Sequence, residues 1–184
     1  MKRLFDVLVV VAVGVLFLVP FCAVALLVRL TSPGPILYWS DRVGRYNKIF
    51  RMPKFRSMRV GTPAVATHLL ENPNVFLTPI GPFLRKSSLD ELPQLWSILL
   101  GDMSLVGPRP ALPREVAQYD TDAMRRLDVR PGLTGLWQVS GRSNLSWDET
   151  VRLDVYYVDN WSIMQDLSIL MRTARAVLGS SGAY

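Results

Sequence analysis

The chain has 184 residues, 49% of them hydrophobic, and a formal net charge of +6. This length suits one domain with a modest core, and so high an apolar content predicts that part of it serves outside that core. A single cysteine, Cys22, and a single histidine, His68, exclude an intrachain disulfide and a zinc site built from cysteine or histidine clusters. The positive charge is concentrated in residues 1–70, where ten Lys and Arg face two acids, Asp6 and Asp41, which predicts an anionic membrane surface as a partner.

Residues 7–28 carry no charged side chain. At about 1.5 Å per helical residue they extend roughly 33 Å, which is enough to cross a bilayer. Pro20 lies inside this run and predicts a kink, because it removes a backbone hydrogen bond. Lys2 and Arg3 precede the run and Arg29 follows it, and basic flanks are typical of the cytoplasmic side of a membrane. A spanning helix and a re-entrant helix that returns to the same side both fit this pattern.

Residues 31–35 (TSPGP) break the helix and divide the chain into a membrane segment, 1–31, and a second part, 32–184. Strand-like or irregular patterns follow at 35–40 and 48–58. Basic residues recur there at every third position: Arg42, Arg45, Lys48, Arg51 and Lys54. This series indicates either a solvated basic face or contacts with headgroups or phosphate. Residues 61–78, which include His68, are polar and predict a loop.

The polar turn 87–94 (SSLDELPQ) delivers two adjacent carboxylates, Asp90 and Glu91, to the start of a helix predicted over 89–100. Successive helical residues point about 100° apart, which suits two different roles, one carboxylate attacking and the other holding a metal. Ser88 and Glu91 match a capping box. However, Pro93 would then lie inside the helix, so Asp90 is predicted as the N-cap.

Two proline- and glycine-rich segments predict phosphate contacts. Pro108 and Pro110 hold Arg109 on a rigid turn, where a guanidinium makes a good phosphate clamp or a structural ion pair. The segment 130–142 (RPGLTGLWQVSGR) combines two arginines, Arg130 and Arg142, with three glycines that allow close backbone approach, and with Gln138 as a base or sugar contact. Together these features indicate a nucleotide diphosphate as the ligand.

Two further helices are predicted in the C-terminal third. A capping box at Ser146 and Glu149 opens a helix to about Tyr157. Residues 162–178 carry an apolar helical stripe, for which core packing is the favoured interpretation and the membrane interface the alternative.

Five ordered motifs resemble the bacterial sugar transferase family, the monotopic phosphoglycosyl transferases. They lie at 54–58 (KFRSM), 88–94 (SLDELPQ), 101–110 (GDMSLVGPRP), 130–142 and 153–157 (LDVYY). The resemblance covers the chain from Lys2 to Tyr184. The membrane segment departs from the family pattern, because Val19-Pro20 stands where the family has a Ser-Pro pair.

The resemblance implies transfer of a sugar 1-phosphate from a UDP-sugar to undecaprenyl phosphate at the cytoplasmic face of the bacterial inner membrane, with release of UMP. This reaction starts a surface glycan such as an exopolysaccharide or lipopolysaccharide. Asp90 would attack the phosphate and form a covalent intermediate, while Glu91 would bind Mg²⁺. The expected substrate-binding residues are Lys54, Arg56, Arg85, Arg109, Arg130, Gln138 and Arg142.

The fold class expected from the sequence and the resemblance is α+β and mostly helical. A re-entrant helix kinked at Pro20 would precede a small cytoplasmic catalytic domain, 32–184, with interfacial helices. Membrane lipids are expected as partners and nucleic acid is not, while a homodimer is left open. A metal-dependent nucleotide-sugar hydrolase and a non-enzymatic basic membrane adaptor are the competing functions.

Overall fold

The computed structural model describes residues 1–63, 72–141 and 145–178. Its architecture is α+β and mostly helical, as predicted. The helices are α1 Lys2–Leu16, α2 Leu18–Thr31, α3 Gly81–Ser87, α4 Gln94–Leu100, α5 Pro113–Val116, α6 Thr121–Met124, α7 Trp147–Asp159 and α8 Ile163–Leu178. Short 3-10 segments lie at Arg45–Asn47, Pro73–Phe76, Leu89–Glu91, Arg125–Asp128 and Trp137–Val139.

The strands form two small sheets. Strands β1 (Leu37–Val43) and β2 (Ile49–Phe55) make an antiparallel hairpin in which Tyr38 lies opposite Lys54. Strands β3 (Ser104–Val106) and β4 (Gly132–Thr134) pair in parallel. The hairpin confirms the strand-like patterns of the sequence.

Helices α1 and α2 meet in a sharp bend. Among the described residues, no single helix is both long and apolar enough to cross a bilayer; α1 and α2 meet that requirement only together, and they bend by 64°. The break lies at Phe17, one turn before Pro20. Proline at position 20 has no N–H to donate to the carbonyl of Leu16, and its ring crowds that carbonyl, so α1 ends there.

The first turns of α1 are bound to the rest of the chain. The Lys2 ammonium lies 2.5 Å from Asp166 of α8, and Arg3 donates to backbone carbonyls at the end of α4. The Asp6 carboxylate, which is buried, accepts a 2.8 Å hydrogen bond from the Ser104 hydroxyl. These contacts make the polar residues of α1 part of the domain rather than of an isolated anchor.

Two hydrophobic clusters form the core, and both include a helix of the predicted membrane segment. The larger cluster consists of Val10, Phe50, Met52, Ile98, Met103, Leu105, Val106, Tyr157 and Ile169. The smaller one consists of Val24, Val28, Phe55 and Leu84. The boundary at residue 31 therefore divides the sequence, but residues from both sides of it pack together in each of the two clusters.

Helix α8 turns a different face to the core from the one that the sequence favoured. Its buried positions include Asp166 and Ile169, whereas Met164, Leu167 and Met171 of the predicted apolar stripe are exposed. The preferred interpretation, core packing of that stripe, is wrong. The buried face combines apolar packing of Ile169 and Leu170 in the larger cluster with polar contacts of Asp166 to Tyr157 and Lys2, which hydrophobic periodicity does not report.

Candidate active site

The Asp-Glu turn is built by the end of α3 and the hydrophobic core beneath it. Ser88 ends α3 in the left-handed conformation, with φ 57°, and the chain then makes the 3-10 turn Leu89–Glu91. Leu89 and Leu92 pack against the cluster that contains buried Leu84. This packing fixes the direction in which the two carboxylates leave the turn.

The helix after the turn begins later than predicted. Its first residue is Gln94, and neither Asp90 nor a capping box of Ser88 and Glu91 caps it. Pro93 has no N–H to join the helix, and Ser88 lacks the extended backbone of an N-cap residue. The predicted capping role of Asp90 is therefore wrong, and its carboxylate is available for chemistry.

Asp90 is a buried carboxylate with positive neighbours. Only 8% of the residue is exposed. Burial raises the pKa of Asp90 to about 6, and the charge of Glu91 adds to the rise, while Lys54 and Arg85 partly offset it. Because water does not solvate this carboxylate fully, its ionised form is a stronger nucleophile than an exposed aspartate.

Glu91 has a different environment although it is the next residue. Its side chain is 37% exposed, and its carboxylate lies 2.5 Å from the Lys54 ammonium. Burial opposes ionisation of Glu91, but the charge and hydrogen bond of Lys54 outweigh it, so that the pKa of Glu91 lies below its usual range. The two carboxylates were predicted to have different roles, and their environments do differ. Asp90 is buried, whereas Glu91 is ion-paired and accessible.

Arg109 lies on the Glu91 side of the turn, together with a residue that was not among the predicted site residues, Arg42. Positive charge from Arg109 contributes to the lowered pKa of Glu91, and Arg42 interacts electrostatically with both residues. The strand period could have identified Arg42. Alternate residues of a strand share a face, and Arg42 lies on the same face as Tyr38, which is paired with Lys54.

Two of the remaining members of the basic series on the hairpin have other contacts. Arg45 donates to the carbonyl of Asp128, and the Arg51 guanidinium stacks over the Trp39 ring at 5.3 Å. Side chains along a strand alternate between its two faces, so basic residues that recur every third position do not all lie on one face of the hairpin.

Arg56, predicted as a substrate contact, has a structural role instead. Its guanidinium is 4% exposed and donates to the carbonyls of Ser32 and Pro33, at 2.7 and 2.5 Å. Arg130 likewise donates to the carbonyl of Gly101, at 2.7 Å. Both side chains hold backbone turns, which the spacing of charges along the sequence does not reveal.

The glycines of segment 130–142 bring backbone to backbone. A Cβ on Gly132 would lie 2.1 Å from the amide nitrogen of Gly107, and one on Gly135 would lie 2.3 Å from the Gly107 carbonyl oxygen. At these two positions it is therefore the backbone of Gly107, and not a nucleotide, that lies close to the glycine. The amide oxygen of Gln138 lies against Gly135, and Arg142 lies outside the described residues, as does His68.

The motif at 153–157 lies in α7 and supports the fold. Asp154 forms a buried ion pair with Arg126, with 2.7 Å between the charged atoms. The Tyr157 hydroxyl donates to Asp166 at 2.7 Å. The capping box of Ser146 and Glu149 that opens α7 is confirmed.

The carboxylates present suit a magnesium ion that is shared with a substrate. Within the described ranges no group of three or more His, Cys, Asp or Glu residues could hold a metal by itself. Magnesium is usually bound by one or two carboxylates together with substrate phosphates and water. The accessible Glu91 carboxylate fits that kind of site, with Asp90 beside it.

The buried Asp90 carboxylate and the cations near it form a site suited to phosphoryl transfer. Residues 1–180 match the family described as bacterial sugar transferase. The chain belongs to this family.

Relatives of known name match the chain throughout its length. It is 41% identical to an undecaprenyl-phosphate galactose phosphotransferase of Salmonella typhimurium, covering 100% of this chain and 42% of that protein. It is 42% identical to the exopolysaccharide production protein ExoY of Rhizobium meliloti, covering 100% and 88%. A UDP-N-acetylgalactosamine-undecaprenyl-phosphate N-acetylgalactosaminephosphotransferase of Aeromonas hydrophila is 38% identical, with 99% and 44% covered. The chain spans about two fifths of the length of the first of these relatives.

Proposed function

We propose that this chain transfers a sugar 1-phosphate from a UDP-sugar to undecaprenyl phosphate, the first step of a surface glycan. The observation that carries the proposal is the buried Asp90 carboxylate beside the accessible Glu91–Lys54 ion pair. Two relatives whose names state a sugar phosphotransferase acting on undecaprenyl phosphate support the choice of acceptor.

The reaction proceeds in two displacements at one phosphorus atom. An Asp90 carboxylate oxygen attacks the phosphorus that carries the sugar, and the bond from that phosphorus to the oxygen of UMP breaks, so UMP leaves. An oxygen of undecaprenyl phosphate then attacks the same phosphorus and releases Asp90. Lys54 and Arg85 lower the cost of ionising Asp90 in its buried position, which keeps the carboxylate charged at neutral pH.

Glu91 is the proposed magnesium ligand. When bound, the ion would neutralise charge on the diphosphate of the donor. Glu91 holds its negative charge at neutral pH because of Lys54, and its exposed position admits a phosphate-bearing ligand. Arg109 adds a positive charge on the same side of the turn.

The acceptor is a lipid, so the site must lie close to a bilayer. Exposed apolar side chains on the bent pair α1–α2 support this arrangement, among them Leu16 and Val19, which are 74% and 77% exposed. Helix α4, which follows the Asp-Glu turn, exposes Trp96 and Leu100. We infer a monotopic protein at the cytoplasmic face of the inner membrane, with a re-entrant helix pair in that bilayer.

The test is UMP release from a panel of UDP-sugars by the purified chain, with and without undecaprenyl phosphate and Mg²⁺. Release that requires both additions is the expected result and names the sugar. Asp90→Asn should abolish release, and Asp102→Asn, which changes a half-exposed aspartate outside the turn, should not.

The same panel separates the competing functions. Sustained UMP release without the lipid would mean hydrolysis, with water as the acceptor. No release from any donor would reject the enzymatic proposal in favour of a membrane adaptor.

A further inference from the structure

Arg42 is a half-buried cation held in a fixed orientation. Its Nε donates to the Ser40 hydroxyl at 3.1 Å and its Nη1 to the Pro110 carbonyl at 3.0 Å. Within the part of the chain that the structure describes, its Nη2 donates no hydrogen bond and its guanidinium forms no ion pair. Such an arrangement leaves donors directed by the fold and available to a ligand.

A backbone bridge brings Arg42 next to Arg109. The amide of Val43 donates to the carbonyl of Ala111 at 2.9 Å, which fastens strand β1 to the turn that carries Arg109. The Arg109 side chain is 42% exposed, and its one ion pair in the described ranges is a long contact of 3.7 Å with Glu115. Burial and the charge of Arg109 lower the pKa of Arg42 to about 10, so Arg42 remains charged at neutral pH.

Two guanidinium groups held together repel each other. Glu115 lies near both, but its contact with Arg109 is long, at 3.7 Å, and its effect on Arg42 is smaller than that of Arg109, so it offsets the repulsion only in part. Arg42 shares a strand face with Tyr38, which is paired with Lys54, the partner of Glu91. The pair therefore lies on the Glu91 side of the turn, and both arginines interact electrostatically with Glu91. Glu91 itself is neutralised by Lys54 at 2.5 Å. An incoming ligand with two or more negative charges would offset the repulsion, and planar guanidinium groups match phosphate oxygens in geometry.

We propose that Arg42 and Arg109 together bind the phosphate group that leaves with the nucleoside, and that Arg42 is therefore a direct contact to the donor diphosphate. This inference rests on the proposed function. As the bond from phosphorus to Asp90 forms and the bond to UMP breaks, negative charge collects on the departing phosphate. The N–H donors of the two arginines stabilise that charge, while Arg85 acts on the Asp90 side.

The first measurement is binding of inorganic pyrophosphate and of UMP to the purified full chain, by calorimetry, with EDTA present so that no divalent ion contributes. The variants are Arg42→Met and a matched control, Arg51→Met, which removes the same charge from the other face of the same hairpin. We expect Arg42→Met to weaken binding of both probes about tenfold or more, because a charge-assisted hydrogen bond is lost. Arg51→Met should leave both affinities within about twofold of the unchanged protein.

Steady-state kinetics then identify which phosphate Arg42 contacts. Arg42→Met should raise KM for the UDP-sugar and leave KM for undecaprenyl phosphate unchanged. Arg42→Lys, which keeps the charge but not the two-pronged geometry, should give an intermediate value and guards against loss of folding in the methionine variant. A rise confined to undecaprenyl phosphate would overturn the assignment to the donor.

Equal binding of pyrophosphate by the unchanged protein and Arg42→Met would also overturn the proposal, as would an absence of binding in the unchanged protein. If pyrophosphate binding depends on Arg42 while no UDP-sugar is turned over, the anion site stands and the proposed function fails. The two ideas are thereby tested separately.

Discussion

At the scale of single residues, Asp90 and Glu91 show how neighbouring carboxylates acquire different chemistry. They are adjacent in sequence and share Lys54 as a positive neighbour. Burial nevertheless raises the pKa of Asp90, while the close ion pair lowers that of Glu91. This difference suits the two roles proposed for them, Asp90 as the nucleophile and Glu91 as the magnesium ligand.

Replacing Asp90 should separate function from stability. Asp90→Asn should abolish transfer, because an amide is a poor nucleophile, and it should also stabilise the fold by up to about 3 kcal/mol, since it removes a buried charge whose pKa is raised from 3.8 to about 6. Unfolding in denaturant at pH 7, without added Mg²⁺, measures the second effect. A variant less stable than the unchanged protein would contradict it.

The stability gain of Asp90→Asn should depend on pH. Between pH 3.8 and about 6 the folded chain binds more protons at Asp90 than the unfolded chain, so the contribution of this group to stability falls as pH rises through that range. The difference in unfolding free energy between Asp90→Asn and the unchanged protein should therefore be small near pH 4 and reach its full value near pH 7. Asp154, whose pKa burial also raises to about 6, is present in both proteins and cancels. A difference that is constant over this range would refute the raised pKa.

At the scale of elements, the parallel pair β3–β4 depends on glycine. Gly132→Ala would place a methyl group 2.1 Å from the Gly107 amide nitrogen and 2.3 Å from the Thr134 carbonyl oxygen. Because backbone atoms cannot move aside as a flexible side chain can, we expect a loss of about 3 kcal/mol or more in unfolding free energy. Gly14→Ala is the control, since a Cβ there meets no atom within 4 Å. Equal stability of the two variants would contradict the packing.

Helix α8 offers a test of the membrane interface. Its exposed Met171 is expected to lie among lipid acyl chains, whereas Lys48, on the hairpin turn, is expected to lie in water. After the single native cysteine, Cys22, is replaced by serine, a spin label at Met171→Cys should be more accessible to dissolved oxygen than to a water-soluble nickel chelate. A label at Lys48→Cys should show the reverse. A nickel-accessible label at position 171 would mean that this face meets water.

At the scale of the whole molecule, the contacts of α1 determine how the chain can enter a bilayer. Lys2, Arg3 and Asp6 are bound to α8, α4 and β3, and these elements belong to the same core as the rest of the domain. In the proposed monotopic arrangement, the start of the chain would therefore lie on the same side of the membrane as the Asp-Glu turn. The 64° bend at Phe17 allows α2 to return to that side.

This topology can be measured by cysteine labelling in the Cys22→Ser background. An impermeant maleimide applied to spheroplasts of a bacterial host should label neither Met1→Cys nor Lys48→Cys until the cells are lysed. Labelling of Met1→Cys alone in intact spheroplasts would mean that the helix pair spans the bilayer. Because Lys2, Arg3 and Asp6 hold α1 in place, Pro20→Ala should leave the pattern unchanged although it restores a backbone donor.

Local chemistry in the sequence was enough to predict several features. The strand-like stretches of the hairpin, the capping box of α7 and the proline within the apolar run are each determined by residues close together in the chain. The Asp-Glu pair was found for the same reason, because both carboxylates belong to one turn. The match of residues 1–180 to the family agrees with the resemblance drawn from the motifs.

Only the tertiary structure decided which charged side chains meet. Arg42 and Arg109 come together through a bridge between β1 and Ala111, and Arg56 is buried by carbonyls 23 and 24 residues earlier. The outward face of α8 was likewise decided by Asp166, whose partner Lys2 lies at the other end of the chain and whose partner Tyr157 belongs to the preceding helix. The sequence alone does not show what a charged residue or an apolar stripe contacts. The free energy that such a group contributes depends on its burial and on partners that long-range packing brings to it. The sequence by itself therefore determined the chemistry available to this protein, and the fold determined which residues can carry it out.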